Sequence, residues 1–156
     1  MKKLILIVAA CAALGACSSS RTATLSAAQT QAERNKANVL AFYDLAFNRH
    51  KVQEAVDKYI GAEYRQHNPG VADGGKAFVD AFAPFLKQNP YSSAQIKRVI
   101  AEGDLVAVHV FSRTNPNDRG EAVVDIFRLD PQGKIVEHWD VIQPVPEKTA
   151  SGRSMF

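Results

Sequence analysis

The sequence predicts an α+β domain in which helices come first along the chain and cover one face of a curled antiparallel sheet. Apolar residues recur every three or four positions in the N-terminal half, which is the period of an amphipathic helix. From Ser92 onward the apolar residues alternate with polar ones, which is the period of a strand. The 156 residues, of which 46% are hydrophobic and 22% charged, have the proportions of one ordinary domain.

Three helices are predicted before the strands. The first is marked by apolar residues from Val39 to Phe47 at helical spacing, and the second is ended by Gly61. Four glycines and prolines between Ala62 and Gly75 predict a loop or a short extended piece there. The predicted helices cover residues 31–50, 52–60 and 76–88.

Four strands are predicted in the C-terminal half, and short turns separate them. Gly103 and Gly133 each lie in one of these turns. Because short turns join neighbouring antiparallel strands, the pattern predicts a meander. The predicted strands cover residues 94–102, 105–113, 121–129 and 134–143.

The N-terminus has the layout of an export signal. Lys2 and Lys3 precede an apolar run over residues 4–14, which is too short for a permanent membrane span. The run ends in Leu-Gly-Ala-Cys, which resembles a bacterial lipoprotein signal with Cys17 as the acylated residue. The alternative is an ordinary signal peptide cleaved after Ala16. We therefore expect an exported lipoprotein that is anchored in a cell-envelope membrane through lipid on Cys17 and faces the periplasm.

The whole chain divides into four predicted parts. Residues 1–16 form the predicted signal peptide, and residues 17–30, which are mostly small and polar, form a flexible lipidated tether. The folded domain is expected over residues 31–146. The last residues, 147–156, have no periodicity and are expected to be disordered.

Charge and motifs exclude several classes of function. The signal peptide holds two lysines, so the mature chain has 17 basic against 16 acidic residues and a net charge of +1, which gives no basis for nucleic-acid binding. The nucleotide-binding glycine motifs and the Gly-x-Ser-x-Gly element of acyl transfer are missing, so no cofactor is expected. His138 and Asp140 could chelate a metal with His109 or His67, but the usual histidine motifs are missing and no metal site is expected.

Candidate polar site residues follow from alternation along the strands. Asp125 lies between Val123 and Phe127, where an unpaired charge would be costly. Both faces of the last strand carry apolar and polar residues. Alternation therefore does not decide whether Asp140 or Glu137 faces the core. These groups suggest a lined cavity, and the alternative is a solvated or dimer-forming sheet face. His109, which has apolar neighbours on its strand face, and His67, from the irregular segment, complete the set.

Three segments carry a resemblance to a known family. They are residues 64–69 (YRQHNP), 123–128 (VVDIFR) and 133–141 (GKIVEHWDV). Over residues 33–146 the chain resembles the SnoaL-like polyketide cyclases of the nuclear-transport-factor-2-like superfamily, a branch described as predicted aldol-condensation-catalysing enzymes. The resemblance implies a cone-shaped curved sheet around a deep apolar pocket, a long N-terminal helix across the pocket mouth, and a homodimer formed through the outer sheet face.

The resemblance also implies roles for particular residues. Asp140 corresponds to the pocket acid that acts as general acid/base in relatives. Asp125 stands where cyclases have a second polar group, often a histidine, and His67 and His109 match pocket positions. Side chains expected to contact the ligand are Phe42, Tyr64, Phe82, Phe127, His138 and Trp139.

Two hypotheses follow for the function. The first is a cofactor-free enzyme that abstracts a proton next to the carbonyl group of a small apolar compound, in an aldol-type, isomerase or related reaction. The second is a non-catalytic envelope lipoprotein that binds a small hydrophobic ligand or a protein partner.

Overall fold

The computed structural model describes residues 15–156, with side chains from residue 29 onward. Most of the expected signal peptide, residues 1–14, and the side chain of Cys17 lie outside the described part. The helices are α1 (Gly15–Tyr43), α2 (Val52–Tyr59) and α3 (Gly75–Gln88), and the strands are β1 (Ile60–Gln66), β2 (Ser93–Glu102), β3 (Leu105–Arg113), β4 (Glu121–Leu129) and β5 (Ile135–Pro144). This is the α+β fold that the sequence predicts. In the described part of the chain, no helix combines the length and apolarity needed to span a membrane.

Helix α1 is longer than predicted and ends in a different way. It includes residues 17–30, which were expected to form a flexible tether. Those residues contain three alanines and neither Gly nor Pro, so no strong helix breaker interrupts them. At its C-terminal end the helix widens into a π-helical turn (Asp44–Asn48), where the Arg49 N–H donates to the Asp44 carbonyl at 2.9 Å. His50 then stops the helix with a φ of 54°.

The five strands form one sheet in the order β1-β5-β4-β3-β2. The meander from β2 to β5 is antiparallel, as predicted. Gly103 and Gly133 adopt φ values of 59° and 82° in its tight turns, a region that favours glycine. The segment expected to be a loop or short extended piece contributes β1, which pairs in parallel with β5.

The helices cover one face of the sheet, called here the inner face. Val106, Val108 and Val110 of β3 are fully buried on it, and they belong to the same apolar core as Val39 and Phe42 of α1. The other face of the sheet, called the outer face, has several exposed apolar side chains. These are Ile100, Val124, Ile126 and Val141.

The C-terminal tail has defined contacts, unlike the disordered tail that was expected. The ring of Phe156 stacks on His109 with a centroid distance of 5.5 Å and lies 4.8 Å from the ring of Phe111. An aromatic residue at the end of the chain can therefore hold the tail against the outer face.

Candidate functional site

A deep pocket of about 920 Å³ lies between the inner face of the sheet and the helices. This volume is typical of small-molecule sites. Phe85 and Ile142 also line the pocket and are 43% and 49% exposed, which places them at its rim. The pocket is lined by polar residues that include Ser93, Arg113 and Asp118, and by eight aromatic side chains: Phe42, Tyr43, Phe47, Tyr64, Phe78, Phe82, Phe85 and Phe127.

Three polar side chains on neighbouring strands meet in this pocket. Asp125 of β4 pairs across the sheet with Asp140 of β5, and His138 lies two positions before Asp140 on the same face. One donor atom of each residue lies within 4.8 Å of the others. The His138 Nε2 atom is 2.9 Å from Asp125 Oδ1, and both side chains are buried. We call these three residues the pocket triad.

The proton positions in the pocket triad follow from the hydrogen bonds around it. The Asn68 backbone N–H donates to Gln66 Oε1 at 3.0 Å, which identifies that atom as the amide oxygen. The same oxygen lies 2.6 Å from His138 Nδ1, so Nδ1 must carry a proton and donate it. The remaining proton of the pair therefore lies between His138 Nε2 and Asp125.

The third member of the pocket triad is oriented by Asn68. The Gly70 N–H donates to Asn68 Oδ1 at 2.8 Å, which leaves the Asn68 amide group as a donor. That group donates to Asp140 Oδ2 at 2.6 Å. Gln66 at the end of β1 and Asn68 in the loop after it thus position the two members of the triad that β5 contributes.

Two tyrosines beside the pocket triad stay protonated. The Tyr43 hydroxyl donates to Asp125 Oδ2 at 2.9 Å, and burial, together with the charge of Asp125, raises the Tyr43 pKa well above its ordinary value. Burial, and then the charge of Asp125, likewise raises the pKa of Tyr64 far above neutrality. Gln66 donates to the Tyr64 hydroxyl at 3.2 Å. Both tyrosines are therefore neutral hydrogen-bond donors under ordinary conditions.

The negative charge of the pocket triad has no cationic side chain beside it. Among the side chains described from residue 29 onward, the only ion-pair contact of Asp125 is with His138, and Asp140 has none. Because buried carboxylates need compensation, the triad must retain a proton or accept a cation. Its three donor atoms could also hold a metal ion.

Seven of the predicted site residues line the pocket. Their shared feature is a side chain on the inner face of the sheet or on the helices that cover it. They are Asp125, Asp140, His138, Phe42, Tyr64, Phe82 and Phe127.

Three predicted pocket residues lie on the outer face, and their expected place in the pocket was wrong. His109 pairs with Val124 on that face because the neighbouring valines of β3 occupy the core. His67 follows Gln66 in the alternation of β1 and turns away from the pocket, where its ring stacks on Trp139 at 4.9 Å. Trp139 alternates with His138 on β5 and is outside the pocket for the same reason.

The outer face has its own cluster around Glu137. Glu137 Oε1 lies 3.0 Å from His67 Nε2 and 3.9 Å from Arg65, and its other oxygen accepts from Arg128 Nε at 3.0 Å. The hydrogen bond with His67, followed by that from Arg128, holds the Glu137 pKa below its ordinary range. Arg128 also pairs with Asp104 at 2.6 Å. The ionised Glu137 carboxylate is therefore stabilised by the side chains around it.

Sequence reasoning did not single out Tyr43, Gln66 or Asn68. Tyr43 adjoins Phe42 in the apolar pattern of the first helix, so it reads as a core residue. Tyr64 and Gln66 are two positions apart, so they lie on the same face of a strand. Recognising this segment as a strand would therefore have placed Gln66, and not His67, on the inner face.

Comparisons with known proteins agree with this fold. The profile of the SnoaL-like domain family matches residues 39–138. No curated protein matches the chain. Among solved structures, TsrD from Streptomyces laurentii is 21% identical with a TM-score of 0.56, and the match covers 69% of this chain and 90% of that protein.

Two further solved structures are similar. A candidate polyketide cyclase from Bacillus cereus is 20% identical with a TM-score of 0.60, and the match covers 70% of this chain and 74% of that protein. AclR, a candidate hydroxylase from Streptomyces galilaeus, is 22% identical with a TM-score of 0.59, covering 72% and 90% of the two chains. At these identities the likeness shows the fold alone.

Proposed function

Because the chain belongs to the family of SnoaL-like domains, we propose that it is a cofactor-independent enzyme doing acid/base chemistry on a small apolar carbonyl compound. The observation that carries this proposal is the pocket triad, in which Asp125 and His138 are buried and Asp140 is partly buried, in a pocket of about 920 Å³ that aromatic side chains help to line. The reaction class is proton abstraction next to a carbonyl group, as in an aldol-type or isomerase reaction.

Asp140 is the proposed general base. Its Oδ2 atom accepts from Asn68, and within the described chain its Oδ1 atom has no hydrogen-bond donor, so this oxygen is free to face a substrate. It takes a proton from the carbon next to the carbonyl group. The electron pair of the broken C–H bond then moves to the carbonyl oxygen, which becomes an enolate.

Asp125 and His138 supply the proposed acid. The proton that they share at 2.9 Å can pass to the enolate oxygen, while the other proton stays on His138 Nδ1, which donates it to Gln66. Tyr64 adds a second hydrogen bond to that oxygen, because its hydroxyl proton is not used by Gln66. Hydrogen bonds directed at a developing oxyanion stabilise the transition state in a site that excludes water.

The proposed substrate is apolar because aromatic side chains form part of the pocket wall. Phe42, Phe78 and Phe127 are buried and offer ring faces and edges, whereas the pocket triad and its partners offer polar groups. Other polar residues, such as Arg113 and Asp118, also line the pocket. A ligand with one carbonyl group and an apolar body satisfies both regions.

Proton exchange tests the catalytic proposal. Small apolar ketones are incubated in D₂O with the protein, and the loss of the hydrogens next to the carbonyl is followed by proton NMR. We expect exchange above the uncatalysed rate with the wild type, and a loss of on the order of 10²-fold or more in Asp140→Asn. The control Asp80→Asn changes an exposed carboxylate on α3 and should retain the activity.

A binding function is the second candidate, and the pocket volume of about 920 Å³ favours it. A pure binding protein would retain its ligand affinity within a small factor in Asp125→Asn and Asp140→Asn. Native mass spectrometry of protein purified from cells identifies a bound compound, and its affinity for each variant is then measured. Unchanged affinity together with absent exchange would favour binding over catalysis.

We also propose that the protein is a homodimer formed through the outer sheet face. The exposed apolar side chains of Ile100, Val124 and Val141 support this interface. Sedimentation should give a dimer for the wild type and a monomer for Val141→Lys. A monomeric wild type would contradict the proposal.

Finally, we propose that lipid on Cys17 anchors the exported protein in the envelope, facing the periplasm. The support is the Leu-Gly-Ala-Cys sequence after the apolar run. Mass spectrometry of the N-terminal peptide should show acyl chains on Cys17, and Cys17→Ala should leave the membrane fraction. An unmodified peptide would contradict the anchor.

A further inference from the structure

We infer that Asp125, His138 and Asp140 form a binding site for one divalent transition-metal ion of the zinc type. The ion would occupy the atoms that the proposed reaction uses as base and acid, so the ion-bound form would be inactive in that reaction, but the inference does not depend on it. It rests on the convergence, the orientation and the charge of the three side chains.

The convergence comes from the sheet. His138 and Asp140 are alternate residues of β5, and Asp125 lies directly across from Asp140 on β4. The three donor atoms lie within 4.8 Å of one another, so a small contraction brings them to the separations found around one ion at about 2.0–2.2 Å from each ligand. Strands hold such ligands more firmly than a loop would.

Each ligand is also oriented by a residue outside the triad. Gln66 accepts from His138 Nδ1, Tyr43 donates to Asp125 Oδ2, and the Asn68 amide donates to Asp140 Oδ2. These bonds leave His138 Nε2 and one oxygen of each aspartate for the ion. A histidine that ligates a metal almost always donates its other ring N–H in this way, and ligating carboxylates are likewise hydrogen-bonded.

Charge favours a cation at the same place. Within the described chain neither aspartate has an arginine or lysine at ion-pair distance, so Asp125, which is buried, and Asp140, which is partly buried, lack a permanently charged partner. A divalent ion would supply it. Because the Nε2 lone pair holds either a proton or an ion, a bound ion takes the place of the proton shared by His138 and Asp125.

The donor set selects the class of ion. One imidazole and two carboxylates suit Zn²⁺ and related transition metals, whereas Ca²⁺ requires six to eight oxygen ligands and Mg²⁺ prefers octahedral oxygen ligation. Three protein ligands leave a fourth position for water or a ligand from the pocket. That arrangement is typical of zinc sites that are open to a small molecule.

Calorimetry on the full chain tests the inference. Untagged protein is treated with a chelator, dialysed and titrated with Zn²⁺, and a parallel titration with Co²⁺ is followed by visible absorption. We expect one equivalent of each ion to bind. The Co²⁺ form should show the ligand-field absorption of a four-coordinate site. Absence of binding would overturn the inference.

Variants locate the ion. We expect His138→Gln and Asp140→Asn each to weaken Zn²⁺ binding by at least about 10- to 100-fold, since losing a ligand should cost no less than losing an outer-shell partner. The matched control is His67→Gln, which removes the outer-face histidine that also contacts a carboxylate, and it should bind normally. Circular dichroism must show that each variant is folded.

Asn68→Ala provides a second test of the inference if a ligand variant does not fold. It retains all three ligands and should weaken binding by about 10-fold through the loss of orientation at Asp140. Equal affinity in wild type, Asp140→Asn and Asn68→Ala would place the ion elsewhere and overturn the inference. Because the readouts are heat and absorption, a protein that exchanges ketone protons but binds no ion would refute the metal site alone.

Discussion

Two histidine–carboxylate pairs lie on opposite faces of the same sheet, at nearly the same distance. On the inner face His138 is 2.9 Å from Asp125, and on the outer face His67 is 3.0 Å from Glu137. The inner pair is buried among aromatic rings and a second aspartate. The outer pair is accompanied by Arg128, and its histidine is about half exposed.

The difference shows that surroundings, not distance, decide what such a pair can do. Around Glu137 the arginines and His67 stabilise the ionised carboxylate, so its proton is gone and it serves as an anchor for side chains. Around Asp125 a neutral tyrosine is the only other side-chain donor in the described chain, so the charge of the pair depends on the proton it retains. A pair of this second kind can give up a proton or exchange it for a cation.

The largest expected difference between the two pairs is in turnover. His138→Gln should lower ketone proton exchange by about 10²- to 10⁴-fold, because it removes the acid that protonates the enolate. His67→Gln changes the same residue type on the outer face and should leave the rate within about threefold, a change of less than about 1 kcal/mol in the barrier. Exchange followed by NMR measures both. Equal losses in the two variants would place the reaction outside the pocket.

The next largest difference is in stability. Ile135→Ala removes a fully buried side chain under the helices and should cost about 2–5 kcal/mol. Ile100→Ala removes the same atoms from an outer-face position that is 70% exposed, and it should cost less than about 1 kcal/mol. Urea unfolding of both variants checks the comparison. A large cost at Ile100 would show that the outer face is covered in solution.

Ile135 also explains why the inner and outer faces of the last strand could not be told apart from the sequence. Along β4 and β5 the register runs regularly up to Arg128 with Glu137, and then Leu129 pairs with Ile135, so Val136 is an extra residue. This bulge reverses the alternation within the strand and brings Ile135 to the same face as His138. A strict period of two therefore made both faces of β5 look mixed.

Other parts were predictable because their signals are local. The turns at Gly103 and Gly133 fix the strand ends to within about a residue, and helical spacing gives α2 and α3. The pairing of β1 with β5 joins residues about 70 positions apart, and no local pattern encodes it. Without that pairing, Gln66 and Asn68 could not be placed beside the triad, and His67 could not be placed outside the pocket.

A smaller effect is expected from Tyr43, the residue at the end of α1 that donates a hydrogen bond to the inner pair. Tyr43→Phe leaves Asp125 Oδ2 buried without its donor and should destabilise the fold by about 1–3 kcal/mol. The aromatic packing is retained, so the cost reports the hydrogen bond. Denaturant unfolding measures it, with Tyr91→Phe at an exposed position as the control. A cost equal to that of the control would mean that Asp125 is satisfied in another way.

The smallest expected effect is a change in the pH dependence of stability at the outer pair. The Glu137 pKa is lower in the folded chain than in an unfolded one, so its contribution is fully present above the ordinary glutamate pKa. As the pH falls through the lowered folded pKa, Glu137 takes up a proton and this contribution is lost.

Glu137→Gln should therefore lower stability slightly near neutral pH and make the acid-side decline of the unfolding free energy less steep than in the wild type. Urea unfolding from neutral pH to below the ordinary glutamate range measures both curves. Parallel curves would show that His67 and Arg128 do not stabilise the charged form, and the contrast between the two faces would then rest on burial alone.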